Sequence, residues 1–412
     1  MPGGALARFR ICDFGGVLAG AGATRILSAF GAQVIRIEDP SNQGRWDVIR
    51  GAPPHKDGKP GLERGGGFNN HNAQKLGITL NLKSERGKQL FRQLVSVSDA
   101  VSENFAAGVM ARLGFDYERL RAARDDIVYV SNCGFGHSGP YASFKSWGPI
   151  VQAMSGLTFT SGLRDQPPAG WGYSYMDHTG AYYMAMALLM ALYHRERTGE
   201  GQWIDLAMTE AGTTLNGPAL LDYTVNGRPL RREGMPHSNR SQWPRMAPHG
   251  IYPAQGEDAW VAIACRDDAD WTALAKVVGE EWTGEGRFAD LDGRIASEDS
   301  LDEQLAGWTR RSDKFALQAR LQAAGVPAAA VQTPPERVDH DANTRAWGLW
   351  PEVTHPVIGK QRIDGLPVHL SETDWDFSHG GPLLGQHNEQ IYGELLGLDA
   401  AEIAALRDEG VI

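Results

Sequence analysis

Short apolar segments alternate with amphipathic segments over the first third of the chain. The apolar runs that suit β-strands are RFRICDF (8–14), QVIRIED (33–39), ITLNLKS (78–84), DAVSENF (99–105) and DIVYVSNCGFG (126–136). Between them lie stretches with helical spacing, ATRILSAFG (23–31), SERGKQLFRQLVSVS (84–98) and YERLRAARDD (117–126). Strands that alternate with helices are typical of βαβ units, so the pattern predicts a doubly wound α/β domain with a parallel sheet.

The pattern of the remaining chain divides it into further segments. We predict a large domain over residues 1–200, a linker and loop over 201–250, a smaller α+β domain over 251–330 and a last segment over 331–412. The linker contains a stretch rich in Arg, Pro, Gly and Asn, and GIYPAQGEDAWVAIAC (250–265) predicts a strand pair after it. Residues 352–371 predict two strands around a turn, and residues 389–412 are helical in pattern.

Charge and cysteine content narrow the class of protein. The formal net charge is −10 and the pI is about 5.7, which argues against nucleic acid or an anionic membrane as the main partner. Three cysteines without a C-x-x-C motif argue against a disulfide framework or a zinc site, so we predict no metal. The longest apolar run, Ala181 to Tyr193, is too short to cross a bilayer, and the first residues lack a signal-peptide core. We therefore expect a cytoplasmic protein.

A glycine-rich turn, GGVLAGAG (15–22), follows the first predicted strand and opens a helix. It resembles half of a dinucleotide fingerprint, but Arg25 stands where the third glycine would be needed. Two other interpretations remain open. The small residues let the helix pack closely on the sheet, or backbone N–H groups meet a nucleotide-containing ligand other than NAD.

Several strings, in order along almost the whole chain, resemble the family III CoA-transferases, also called the CaiB/BaiF family. They are GAQVIRIE (31–38), NAQKLGITLNLKSERGKQLFRQLVSVSDAVSENFAAGVMARLGFDYERLR (72–121), VSNCGFGHSGPY (130–141), IVQAMSGLTFTSG (150–162), RERTGEGQWIDLAM (195–208), LQAAGVPAAAV (321–331), PLLGQHNEQI (382–391) and AEIAALRDEGVI (401–412). The resemblance implies a large Rossmann-like domain built from both chain ends, so that 331–412 completes it, and two interlocked chains.

The resemblance also implies an activity. Members move CoA from an acyl-CoA donor, such as succinyl-CoA, to a free carboxylic acid, and some instead epimerise an acyl-CoA. The CoA thioester is then a substrate, and no tightly bound cofactor is expected. The expected partners are an acyl-CoA, a carboxylic acid and a second chain, either identical in a homodimer or related in a heteromer.

Asp177 is the candidate nucleophile. It lies in the string Tyr175-Met176-Asp177-His178-Thr179-Gly180, just before a long apolar helix. Spacing alone favours a structural interpretation, in which the carboxylate caps the helix. The resemblance implies the opposite, because the family's nucleophilic aspartate lies in a D-x-x-G string before this helix. A helix N-terminus would favour the ionised carboxylate, which attacks a thioester to give a mixed anhydride.

The resemblance carries a CoA site onto this chain. The implied residues are Leu18 and Ala19 in the first loop, Leu80 and Lys83 after the third strand, Asn104 and Phe105 after the fourth, Arg112 as a phosphate partner, and Lys145, Ser146 and Trp147 as a wall. Without the resemblance, Lys83 and Arg112 would be taken as solvated surface charges. Formyl-CoA transferases have glutamine in place of Leu18 and arginine in place of Asp39, so those substrates and one phosphate contact are in doubt.

Three alternatives stay open. A racemase of this family would need a histidine and a glutamate, but this chain has Trp147 and Pro253 at those positions, and neither exchanges a proton at neutral pH. We interpret His137 and His178 as structural or substrate-contacting residues. A non-catalytic partner subunit and a nicotinamide oxidoreductase are the other two alternatives.

The oxyanion donors and the acyl group are less defined by sequence. The stretch His237-Ser238-Asn239-Arg240-Ser241 is a candidate oxyanion loop, and an ordinary surface loop is the alternative. Aromatic residues cluster near Asp177 in sequence, namely Trp147, Trp171, Tyr173, Tyr175, Tyr182 and Tyr183. Core packing explains some of them. If two or three line a pocket, an aromatic or branched dicarboxylic acid would suit it better than formyl or oxalyl groups.

Overall fold

The computed structural model describes residues 4–162, 166–172, 174–232, 239–241 and 243–412. The chain forms two compact units. The large unit comprises Met1–Phe159, Gly170–Gly217 and Asn343–Ile412, and the small unit comprises Thr160–Ala169 and Pro218–Ala342. Both chain ends therefore belong to the large unit.

The strands form three sheets. They are β1 Arg10–Phe14, β2 Gln33–Glu38, β3 Leu76–Thr79, β4 Ala100–Glu103, β5 Val128–Cys133, β6 Trp203–Ala207, β7 His249–Pro253, β8 Trp260–Ala264, β9 Ala328–Ala330, β10 Glu352–His355 and β11 Gly359–Arg362. In the large unit six parallel strands have the order β3-β2-β1-β4-β5-β6. In this order the chain turns from one half of the sheet to the other between β1 and β4, where α/β folds bind ligands.

The α-helices pack around these sheets. They are α1 Ala19–Ala29, α2 Gly66–His71, α3 Glu85–Ser96, α4 Val109–Leu113, α5 Tyr117–Ala123, α6 Gly148–Met154, α7 Tyr175–Thr198, α8 Met208–Thr214, α9 Gly217–Asn226, α10 Asp268–Val278, α11 Leu291–Ala296, α12 Glu298–Thr309, α13 Lys314–Ala323, α14 Ala342–Trp347 and α15 Ala400–Asp408. Short 3₁₀ segments occur at Pro40–Asn42, Lys56–Gly58, Leu157–Thr160, Glu281–Gly284 and Gly286–Phe288, and π segments at Glu336–His340 and Glu389–Leu395.

Alternation along the strands explains why helices cover both faces of the six-stranded sheet. Ile11 and Val34 face one core, which contains apolar residues of α1 and α7. Cys12 and Ile35 face the other core, which contains apolar residues of α3, α5 and α15. Because successive side chains of a strand point to opposite faces, strands that are apolar at every position must be buried on both sides. The sequence prediction of a doubly wound α/β domain is confirmed.

The small unit has its own core. Its antiparallel sheet β7-β8-β9 packs with helices α10, α12 and α13 around buried residues such as Trp271, Leu305 and Leu317. The predicted strand pair over 250–265 is confirmed as β7 and β8, and the later pair over 352–371 as β10 and β11.

Two local predictions differ from the structure. The third strand ends at Thr79 rather than near Ser84, because the Asn81 N–H donates to the Val411 carbonyl at the chain end, 2.8 Å away. Residues 201–250, expected as a linker and a loop, contain the edge strand β6 and the helices α8 and α9. Strand β6 pairs with β5, so this stretch extends the large sheet.

Three features bear on possible cofactors and membranes. Across the described ranges, no helix combines the length and the apolar character that a bilayer span requires. Within the same ranges, no cluster of three His, Cys, Asp or Glu side chains is placed to hold a metal ion. Cys12, Cys133 and Cys265 are buried thiols that form no disulfide.

Candidate active site

A cavity of about 350 Å³ lies in the large unit, where β1, β4 and β5 end. Its lining comes from six separate stretches of the chain. The lining residues are Val17, Ala19, Asn104, Phe105, Ala106, Ala107, Asn132, Cys133, Gly134, Phe135, Ala142, Phe144, Lys145, Ser146, Trp147, Gly148, Val151, Asp177 and Met208. Carboxyl ends of parallel strands meet at one edge of a sheet, which explains how residues far apart in sequence come together.

Asp177 lines this cavity from the first turn of α7. The N-cap of α7 is Ser174, so Asp177 is the third helical residue and not the cap that spacing alone favoured. A Cβ atom at Gly148 would stand 3.0 Å from both carboxylate oxygens of Asp177. The carboxylate therefore lies directly against the backbone at the start of α6.

Burial sets the ionisation of this carboxylate. It raises the pKa of Asp177 above the ordinary value, while a hydrogen bond from Ser174 and the nearby His178 act in the opposite direction. Loss of hydration therefore acts against the preference for the charged form that is expected at a helix N-terminus. A carboxylate with less hydration is a better nucleophile, provided it is still ionised at working pH.

Four helices begin at the cavity. Ala19 of α1, Gly148 of α6, Asp177 of α7 and Met208 of α8 all line it, and each lies in the first turn of its helix. In the part of the chain that the structure describes, no side chain caps any of these four N-termini. Amide groups at helix N-termini carry partial positive charge, so the cavity favours anionic groups.

The loop that follows β1 is held by side chains rather than left open for a ligand. Its amides donate to carboxylate and amide oxygens: Gly15 to Asp13 at 2.8 Å, Gly16 to Asn104 at 2.7 Å, and Val17 to Asp47 at 3.0 Å. These three N–H groups are therefore occupied within the protein. This geometry argues against the dinucleotide interpretation of the glycine-rich turn, which needs amides directed at a pyrophosphate.

Asn104 and Asp13 are the main supports of that loop. Asn104 also donates from Nδ2 to the Gly16 carbonyl, at 3.1 Å, so its side chain holds the backbone of Gly16 through both the N–H and the C=O. Asp13 is fully buried and accepts hydrogen bonds from Thr24, Ser102 and Lys75. The two supports tie the loop to the sheet beneath it.

The structure brings most of the predicted CoA-site residues together. Those that line the cavity with Asp177 are Ala19, Asn104, Phe105, Lys145, Ser146 and Trp147. Leu18 is the buried N-cap of α1 and Leu80 packs in the core with α3; neither lines the cavity. Lys83 is largely exposed, with its ammonium 3.2 Å from Asp39, and Arg112 is exposed on α4.

Two further sequence predictions concern the aromatic residues near Asp177 and the candidate oxyanion loop. Of the described aromatic residues expected near Asp177, Trp147 alone lines the cavity, and Phe105, Phe135 and Phe144 supply the rest of its aromatic surface. Tyr173, His237 and Ser238 lie outside the described residues. Arg240, in the small unit, is held by carboxylates of Asp299 and Asp302 at 2.6 and 2.7 Å.

Sequence reasoning missed several cavity residues. Val17, Asn132, Cys133, Gly134, Gly148 and Met208 all line the cavity but were not predicted as site residues. Asn132, Cys133 and Gly134 close a strand at the ligand-binding edge of the sheet, which is the signal that had singled out Asn104. No comparable signal marks Gly148 or Met208, since each acquires its position through helix packing.

Family and curated relatives agree on the class of protein. The family model for CoA-transferase family III matches residues 6–388. Succinyl-CoA–D-citramalate CoA-transferase of Chloroflexus aurantiacus is 32% identical over 98% of this chain and 97% of its own. Succinyl-CoA:mesaconate CoA-transferase of Haloarcula marismortui is 33% identical over 95% of this chain and 96% of its own. Formyl-CoA:oxalate CoA-transferase of Streptomyces avermitilis is 30% identical over 99% of both chains.

A solved structure has the same fold. The crystal structure of a CaiB/BaiF family protein from Brucella suis superposes with a TM-score of 0.84 at 29% identity, and it covers 95% of this chain and 100% of its own. The sequence resemblance is therefore confirmed at the level of family and fold.

Proposed function

Because the chain belongs to CoA-transferase family III, we propose that it moves CoA from an acyl-CoA donor, such as succinyl-CoA, to a free carboxylic acid through acylation of Asp177. The observation that carries this proposal is the position of the Asp177 carboxylate in the cavity at the strand ends. Six residues expected to contact CoA line the same cavity. Relatives named for succinyl-CoA donors support the choice of donor.

The chemistry begins with attack of an Asp177 oxygen on the thioester carbonyl carbon. The C–S bond breaks, CoA leaves as a thiolate, and a mixed anhydride with the donor acid remains. The thiolate then attacks the Asp177 carbonyl of the anhydride, which releases the donor acid and leaves an aspartyl-CoA thioester. The acceptor carboxylate repeats these steps in reverse, so that the acceptor leaves as its CoA thioester and Asp177 is again a carboxylate.

The surroundings of Asp177 suit charged intermediates. Both the thiolate and each tetrahedral oxyanion carry negative charge, which the converging helix N-termini stabilise. Lys145 is the one cationic residue among the described residues that line the cavity, and it stands at the exposed rim. The mechanism requires that water be kept from the anhydride, which water would hydrolyse, and aromatic and small residues make up much of the lining.

The cavity offers little for the racemase alternative. Racemisation requires groups that remove and return a proton at Cα. The titratable residues among the described lining are Asp177, Lys145 and Cys133, and burial raises the pKa of the Cys133 thiol to about 11. Trp147 occupies the position where the resemblance implies a histidine for that reaction. Transfer through Asp177 needs no such pair.

Chemical trapping tests the proposed nucleophile. The protein is incubated with succinyl-CoA and hydroxylamine, and its peptides are analysed by mass spectrometry. A hydroxamate at Asp177 is the expected result, since hydroxylamine cleaves both the anhydride and the aspartyl thioester. Asp177→Asn should form no hydroxamate and lose at least about 10³-fold in kcat, in line with the loss of a covalent nucleophile.

A matched control lies on the same helix. Glu196 is a carboxylate of α7 whose partner is Arg8 and which does not line the cavity. Glu196→Gln should trap and turn over like the unchanged protein. Transfer that persists in Asp177→Asn, or a hydroxamate on another carboxylate alone, would contradict the proposed mechanism.

A panel of acceptors including oxalate, mesaconate, citramalate and glutarate then ranks the substrates, and turnover restricted to oxalate would reject the larger acyl group. We also expect a dimer of two interlocked chains, and sedimentation analysis checks that two chains assemble.

A further inference from the structure

Asn132 is a buried polar residue in the reaction cavity that the proposed mechanism does not use. It lines the cavity from the end of β5 and is 1% exposed. The residues of β5 that share its face of the sheet, Val128 and Val130, are apolar and belong to the core under α7. Alternation along the strand therefore predicts another apolar residue at position 132, where an amide stands instead.

One end of this amide lacks a partner. Its Nδ2 is 3.6 Å from the Met184 sulfur, and none of the described residues donates a hydrogen bond to Oδ1. The reverse orientation would place the amide oxygen against the electron-rich sulfur, so the sulfur supports the present assignment. A buried acceptor without a partner destabilises the folded state. That cost is explained if a ligand supplies the missing donor.

The position of Asn132 limits which part of the ligand can supply it. A Cβ atom at Gly180 would lie 3.5 Å from Asn132 Nδ2, and Gly180 is one helical turn beyond Asp177 on α7. The amide thus lies against the face of α7 that carries the nucleophile. The cavity near it is otherwise lined by Met208, Val151 and Ala19, which form an apolar cluster.

We propose that Asn132 determines substrate specificity by hydrogen bonding a hydroxyl group on the transferred acyl chain, so that the preferred acceptor is a hydroxy acid. A hydroxyl donates to Oδ1 and leaves Nδ2 against Met184. The surrounding apolar residues accommodate the carbon skeleton of the same acyl chain. This inference rests on the proposed function, because it assumes that the acyl group bound to Asp177 occupies this cavity.

Matched pairs of acids that differ by one hydroxyl test the proposal. With succinyl-CoA as donor, kcat/KM is measured for citramalate against 2-methylsuccinate and for 3-hydroxyglutarate against glutarate. The unchanged protein should prefer the hydroxylated member of at least one pair by roughly tenfold or more, because the deoxy acid leaves the amide unpaired. In Asn132→Leu this preference should fall below about threefold, since the hydroxy acid loses its partner and the deoxy acid does not.

Stability and a control variant separate recognition from a structural role. Asn132→Leu should unfold at the same temperature as the unchanged protein or higher, because it removes an unpartnered buried amide. Asn132→Ala gives the same comparison of acids should leucine not fold. Gln152 of α6 is a second buried amide with an unpartnered Nε2, but it does not line the cavity, so Gln152→Leu should keep the hydroxyl preference.

Failure of this inference is distinguishable from failure of the proposed function. If the protein forms the Asp177 hydroxamate and transfers CoA but shows no hydroxyl preference in either pair, the role of Asn132 is refuted and the mechanism stands. The same holds if Asn132→Leu keeps the preference. If no hydroxamate forms, the proposed function itself is refuted.

Discussion

Gly134 provides the sharpest test of how the cavity wall is positioned. It closes β5, and a Cβ atom added there would lie 2.0 Å from Oγ and 2.4 Å from Cβ of Ser146. Non-bonded carbon and oxygen atoms stay roughly 3.5 Å apart, so the wall of Lys145, Ser146 and Trp147 would have to retreat by more than about 1 Å. Gly134→Ala therefore displaces the wall without changing any group that reacts.

The magnitude follows from that displacement. Misplacement of about 1 Å costs on the order of 10²-fold in kcat/KM, which is about 2.7 kcal/mol of transition-state stabilisation. Overpacking a tight site also lowers the free energy of unfolding by about 1–3 kcal/mol. Steady-state transfer from succinyl-CoA and urea unfolding measure the two effects. Gly307→Ala is the control, because a Cβ at that helical glycine of the small unit meets no atom within 4 Å.

Removing the colliding side chain should rescue the variant. In the background of Ser146→Gly, adding Gly134→Ala should cost less than about tenfold in kcat/KM and less than about 1 kcal/mol of stability, because neither colliding atom is present. Equal losses with and without the Ser146 side chain would refute this reasoning. They would show that Gly134 acts through its backbone conformation instead.

Three further predictions concern Asp177 and Asn104. Because burial raises the pKa of Asp177 and attack requires the ionised form, kcat/KM should fall on acidification through a pKa above that of an ordinary aspartate; a pH profile with an unperturbed carboxyl pKa would contradict this. The native state holds the Asp177 proton more tightly than the unfolded state does, so the contribution of this group to stability declines as pH rises. Asp177→Asn should therefore unfold at a higher temperature than the unchanged protein at pH 7, but not at pH 3. Asn104→Ala removes both hydrogen bonds to Gly16, so it should lower the free energy of unfolding by about 1–3 kcal/mol and raise the KM for acyl-CoA. An unchanged urea midpoint would show that these two hydrogen bonds do not stabilise the fold.

The sequence by itself determined the fold class and the helix that carries the candidate nucleophile. Apolar runs separated by helical spacing predicted the parallel sheet, because strands with apolar residues at successive positions can be buried only between two layers of helices. The string around Asp177 predicted a carboxylate at a helix start, and its resemblance to the family's D-x-x-G string singled it out. Both signals are local, since they depend on residues a few positions apart.

The tertiary structure alone decided which residues share the cavity and how burial affects the pKa of the Asp177 carboxyl group. Gly148, Met208 and Asn132 meet Asp177 because helices and strand ends converge there, and no spacing along the chain encodes that meeting. Packing also decided that burial raises the pKa of Asp177. Hydration and hydrogen bonding depend on neighbours in space, which the order of residues does not state, so these properties follow only when the chain has folded.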